Sequence, residues 1–130
     1  MIGLDSNVLL RHLVQDDPEQ ARLASAVLGE LTADEPGFVS LVALAEVAWV
    51  LRRGYQLPKP VVLDHLENLL SAKELEFEDA ETVWTALMRG RHGADFADAL
   101  IADTAQLRGC TEVVTFDRRA ADALGMRLLS

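Results

Sequence analysis

Short apolar segments alternate along this chain with longer stretches of helical periodicity, and that order constrains the fold more than any other feature. Met1–Leu4 ends at Asp5, Phe38-Val39 follows the turn Asp34-Glu35-Pro36-Gly37, and Leu75-Glu76-Phe77 reads as a short edge strand. Glu112–Phe116 is β-rich and ends at Asp117, and Met126–Leu129 is a terminal strand. Between them lie helical patterns. Ser6 or Asn7 can cap a helix over Val8–Val14. Asp17-Pro18-Glu19-Gln20 combines a capping Asp, Pro at the first helical position and Gln where a capping box places it. Ser40 caps Leu41–Arg53, which is apolar nearly all round and therefore expected to be buried. Val62, Leu66, Leu69 and Leu70 mark a further helix, and Asp79 caps one carrying Ala80, Val83, Trp84, Leu87 and Met88. Gly109 and Gly125 stop the last two. Strands alternating with helices predict an α/β fold around a short parallel sheet. At 130 residues the chain is expected to form one domain, residues 1–130.

The helix that opens at Ala94-Asp95 carries its acids awkwardly. Ala97, Leu100, Ile101, Thr104 and Ala105 repeat at the spacing of a core-facing stripe. Asp98 then lies roughly 60° around the helix from Ile101, Asp95 roughly 120° and Asp103 roughly 160°. Asp98 is expected to border the core and Asp103 to face water. Asp95 and Asp98 are i, i+3 neighbours of like charge with no cation in the stretch, so a cation from elsewhere is required.

Charge narrows the function classes. The formal net charge is −9, with 21 acids against 12 Lys plus Arg, which argues against a nucleic-acid binder unless several acids converge on a divalent ion. A single cysteine, Cys110, excludes an internal disulfide and a cysteine zinc site, and is expected to be a buried or half-buried filler. Met1 runs directly into Ile2-Gly3-Leu4-Asp5 without a basic leader, and no apolar run reaches the roughly 20 residues of a membrane span. A soluble, cytoplasmic protein is the expectation.

Four acids stand out by position. Asp5 and Asp117 end strands, where open α/β sheets bind ligands, although an Asp there also serves simply as a helix cap. Glu46 is the only charged side chain between Glu35 and Arg52, so either it is a surface residue or its partner is tertiary, an arginine or a metal. Asp98 is the fourth. Oxygen-only ligands without His or Cys suit Mg²⁺ or Mn²⁺. Such ions serve displacement at phosphorus by activating water and neutralising phosphoryl charge.

These residues carry a family resemblance. Met-Ile-Gly-Leu-Asp-Ser-Asn-Val-Leu-Leu-Arg at 1–11, Ser-Leu-Val-Ala-Leu-Ala-Glu-Val-Ala-Trp-Val-Leu at 40–51, Asp-Phe-Ala-Asp-Ala-Leu-Ile-Ala at 95–102 and Thr-Phe-Asp at 115–117 resemble, in this order, the motifs of PIN-domain ribonucleases. The similarity is specifically to VapC-type toxins of bacterial type II toxin–antitoxin pairs. The resemblance implies a three-layer α/β/α sandwich and an acidic pocket of Asp5, Glu46, Asp98 and Asp117. It makes Asp5 and Asp98 the direct ligands of Mg²⁺ (or Mn²⁺), with Ser6 or Asn7 and Thr115 as polar support. It further implies hydrolysis of RNA phosphodiesters by a metal-activated water, leaving a 3′-hydroxyl and a 5′-phosphate. A homodimer and neutralisation by a VapB-like antitoxin belong to the same implication. Ser6 departs from the commoner Thr, and Asp95 is an extra acid placed outside the inner ligands. Arg91, Arg118 and Arg119 are candidates for holding the RNA backbone, with Arg89 and His92 nearby, and a solvated arginine is the plain alternative.

Other features read as structural. His12 and His65 sit on helices without partnered ligands, and Trp49 and Trp84 are expected to pack in the core or an interface. Two other functions compete. An aspartate-nucleophile phosphatase would use Asp5, but it usually carries a second Asp two residues on, where this chain has Asn7. A catalytically inactive PIN-like module would use the acids to hold a basic peptide.

Overall fold

The computed structural model describes all of Met1–Ser130, and the backbone falls into two compact units, Met1–Ala80 and Glu81–Ser130. The first contains β1 (Ile2–Gly3), α1 (Ser6–Val14), α2 (Pro18–Glu30), β2 (Gly37–Val39) and α3 (Leu41–Trp49). A π-helical turn (Val50–Gly54), α4 (Lys59–Leu70) and β3 (Leu75–Phe77) complete it. The second contains α5 (Ala80–Arg91), α6 (Phe96–Leu107), β4 (Val114–Thr115), α7 (Arg118–Leu124) and β5 (Arg127–Leu128). Each expected strand and helix is therefore present. All pairing is parallel, but it is divided between a three-stranded sheet ordered β1-β2-β3 and a two-stranded sheet, β4-β5.

In the first unit β2 is central, with Gly37 opposite both Ile2 and Leu75. Glycine fits closely there: a Cβ at position 37 would come within 2.8 Å of the Leu4 and Leu31 side-chain carbons, which would have to shift to admit it. Leu4, Leu9, Leu10, Val39, Leu44, Val47, Leu51, Val62, Leu63 and Leu66 are buried. This matches the apolar faces that the helical spacing selects, and it leaves β1 pointing its carboxyl end at α1.

Caps fix where the helices begin. Asp17 accepts from Gln20 N at 3.0 Å and Ser40 from Ala43 N at 3.1 Å, as the sequence predicts. The capping box at Gln20 does not close, because its side-chain oxygen accepts from Arg11 Nε at 2.6 Å instead. Arg11 also reaches Asp16, which accepts from Tyr55 Oη at 2.9 Å, so the end of the π-helical turn is tied to the end of α1. Asp79 is in the left-handed region, φ 49°, rather than the extended conformation of an N-cap.

Three burial expectations are corrected. The α3 segment is not buried all round: Val42 and Trp49, seven residues apart on one face, are exposed, Trp49 to 61%. The helix also ends as α at Trp49 and continues as the π turn rather than running regularly to Arg53. Cys110 is exposed instead of filling a gap. On α6 the buried stripe is Phe96, Ala99, Leu100 and Asp103, while Ile101 is 54% exposed. The stripe is offset because Phe96 begins the helix and an arginine from α5 makes Asp103 acceptable inside.

Candidate functional site

In the first unit, β1 delivers Asp5 to the start of α1, where Asp5 itself is the N-cap rather than Ser6 or Asn7. Its Oδ1 accepts from Ser6 N at 2.8 Å. Ser6 is buried, and its Oγ lies 3.4 Å from Asp5 Oδ1 while donating a short hydrogen bond to Glu46 Oε1 on α3. One hydroxyl proton thus sits between two carboxylates that are 41 positions apart in sequence. Glu46 is exposed, yet its partner is tertiary, a serine rather than an arginine. These bonds occupy Oδ1 of Asp5 and Oε1 of Glu46, which leaves Oδ2 and Oε2 for a cation.

In the second unit, α6 and the end of β4 present Asp95, Asp98 and Asp117 to one another. Asp98 is half-buried, and burial, with the negative charges of Asp95 and Asp117, raises its carboxyl above the usual aspartate range. It lies roughly 150° around the helix from the centre of the buried stripe, not at its border. Asp95 is the N-cap of α6 and accepts from Asp98 N at 3.0 Å. Asp117 is the N-cap of α7, accepting from Arg119 N at 2.8 Å and Ala120 N at 3.4 Å. Thr115 Oγ1 in turn accepts from Asp117 N at 3.0 Å.

Capping and ligand roles are compatible, because a carboxylate has two oxygens and a cap uses one. The donor chemistry, oxygen only, fits Mg²⁺ or Mn²⁺. Within neither unit do three or more His, Cys, Asp or Glu side chains stand at metal-holding spacing.

The basic candidates belong to the second unit. Arg118 and Arg119 occupy the first turn of α7, exposed and directly after Asp117, and Arg91 ends α5. His92 Nδ1 donates to Met88 O at 2.8 Å, which anchors it to the end of α5. His12 and His65 line a pocket of about 310 Å³ in the first unit with Asn68 and Glu74, and His12 Nδ1 pairs with Ser25 Oγ at 2.9 Å. Two features were not anticipated from sequence, the Arg89–Asp103 ion pair and the exposure of Phe116. The only sequence signal for Phe116 is its i, i+2 relation to Val114, the first residue of β4, and both are exposed.

Residues 2–124 match the PIN domain family. The chain belongs to the PIN-domain family. PIN domains are generally nucleases, which supports a nuclease role for this PIN domain and agrees with its α/β fold of short parallel sheets. No curated protein matches it significantly. No helix of this PIN domain is long and apolar enough to cross a membrane.

Proposed function

We propose that this PIN domain is a Mg²⁺-dependent endoribonuclease, the cytoplasmic toxin of a type II toxin–antitoxin pair. The observation that carries the reading is the setting of Asp98, whose carboxyl is raised first by burial and then by the negative charges of Asp95 and Asp117, a setting that a cation would relieve. As the family resemblance implies, Asp5 and Asp98 would hold the ion, and Glu46 and Asp117 would support them. The ion supplies Lewis acidity and neutralises charge on the phosphoryl oxygens. A carboxylate takes the proton from water as the water oxygen bonds to phosphorus. The bond from phosphorus to the 3′-oxygen breaks, and that oxygen takes up a proton, leaving a 3′-hydroxyl and a 5′-phosphate. Arg91, Arg118 and Arg119 hold the RNA backbone without reading its sequence.

An apolar groove of about 230 Å³ between α1 and α2, lined by Val8, Leu23, Ala24 and Val27 with Asn7, supports the docking of a VapB-like antitoxin segment on the first unit. Exposed Trp84 and Met88, one turn apart on α5, support a homodimer.

The test is cleavage of total RNA with and without Mg²⁺, with the new ends mapped. Asp5→Asn and Asp98→Asn should each abolish cleavage while circular dichroism and the melting temperature show an intact fold. Mg²⁺-dependent cleavage retained in both variants would remove the assignment.

A further inference from the structure

Phe116 is the most exposed large apolar side chain of this protein, with 82% of it open. Its backbone is nevertheless pinned on both sides. Leu129 N donates to Thr115 O at 2.7 Å on one side, and Asp117 caps α7 on the other. The bond from Asp117 N to Thr115 Oγ1 closes a turn across Phe116 itself. The backbone that carries this exposed ring is therefore held by hydrogen bonds on both sides instead of lying in a loose loop. Its sequence neighbours toward α7, Asp117, Arg118 and Arg119, are all exposed and charged.

That setting distinguishes two occupants. An aromatic anchor for a protein partner sits in a patch from which charge is depleted. Single-stranded nucleic acid is instead bound by aromatic faces that stack on bases, with cations alongside to track the phosphates. The charged flanks of Phe116 match the second pattern.

Resting on the nuclease reading above, we propose that Phe116 stacks on an unpaired base next to the scissile phosphodiester, with Arg118 and Arg119 holding the adjoining phosphates. Phenylalanine has no hydrogen-bonding group, so the stack reads the presence of a base rather than its identity, with purines favoured by their larger face. A base kept within a duplex is unavailable to it. Phe116 thereby restricts cutting to positions where a base is free and fixes the register of the strand relative to Asp117.

The experiment uses the full chain and a short oligouridylate carrying one 2-aminopurine, walked along its length, in EDTA so that nothing is cut. The wild type should quench the probe at one position. Phe116→Ala should abolish that quench and weaken binding roughly tenfold, the loss of one base–aromatic stack. Phe116→Trp should restore both. In Mg²⁺, an abasic residue at the quenched position should lower kcat/KM for the wild type by a similar factor and leave Phe116→Ala unchanged. The stack is overturned if Phe116→Ala binds and quenches like the wild type. It is equally overturned if the variant changes only self-association in sedimentation, which would make Phe116 a protein contact. A wild type that cleaves RNA but shows the same abasic penalty as Phe116→Ala loses the stack alone. A wild type that neither binds nor cleaves RNA in Mg²⁺ loses the nuclease reading with it.

Discussion

Arg89 Nε lies 3.2 Å from Asp103 Oδ1 and so joins α5 to α6 through a carboxylate whose side chain is only 9% exposed. The arginine is 40% exposed, and Oδ2 of Asp103 is buried without a hydrogen-bond partner. The two partners should therefore respond unequally to deletion. Arg89→Met strands a buried charge and should cost about 2–4 kcal/mol, toward the range for breaking buried pairs. Asp103→Leu leaves an arginine that water can reach and should cost about 1 kcal/mol or less. The double variant should recover most of the loss, because a buried pair exchanged for apolar side chains is often neutral. Urea denaturation of the three variants measures this; equal costs for the two single variants would mean that the pair is not buried in effect.

The raised carboxyl of Asp98 makes stability depend on pH in a stated direction. With its folded pKa above the unfolded value, the protonated form is favoured in the native state. The associated stability is fully present below the ordinary aspartate pKa of about 4 and is lost as pH rises through the raised value. In EDTA, the melting temperature of the wild type should therefore fall relative to that of Asp98→Asn as pH climbs from that point toward neutrality. Millimolar Mg²⁺ should narrow the gap at neutral pH, since a cation favours the ionised form. A constant difference between the two proteins at every pH would show that Asp98 is not perturbed.

Ser6 is the hinge of the acids in the first unit. Its buried hydroxyl contacts Asp5 and donates to Glu46, so removing it frees both carboxylates to reorient. Groups that orient metal ligands typically change affinity or activity about 10- to 100-fold when removed. Ser6→Ala should weaken Mg²⁺-dependent cleavage by a factor in that range, and Ser6→Thr should retain it. Activity of Ser6→Ala within about twofold of wild type, a change too small for a ligand-orienting role, would assign Ser6 to packing alone.

Local chemistry explains which parts of this structure are legible from residues. Asp17-Pro18, Ser40 and Gly125 act within a few positions of themselves, and each does in the fold what its type predicts. Asp5 and Asp117 each take the capping role that a strand-end acid can have, each with one oxygen. Positions decided by distant partners are the ones that were misplaced. Asp103 is drawn inside by an arginine on another helix, so the α6 stripe includes a charge that periodicity excludes. Glu46 finds Ser6, a residue with no charge to advertise the pairing. The open face of α3, at Val42 and Trp49, is invisible to composition because an apolar surface and an apolar core use the same side chains.

Arg118 and Arg119 stand in the first turn of α7, where the helix dipole disfavours a cation by about 0.3–1 kcal/mol. Neither is needed to form the helix, whose N-cap is Asp117. Two cations in an unfavourable place beside Asp117 are the ones that the proposed RNA backbone contact would use. Neutralising a phosphate contact lowers the salt dependence of single-strand binding by about 0.7 in the logarithmic slope. Arg118→Gln/Arg119→Gln should therefore bind RNA more weakly, with a slope smaller by roughly 1.4. It should also melt slightly higher than the wild type, because the repulsion from the α7 dipole is gone. Titration of a labelled oligouridylate at several salt concentrations in EDTA reads the slope, and thermal denaturation reads the stability. A slope equal to that of the wild type would leave the two arginines as solvated surface and return the search for the backbone contacts to Arg91 and the end of α5.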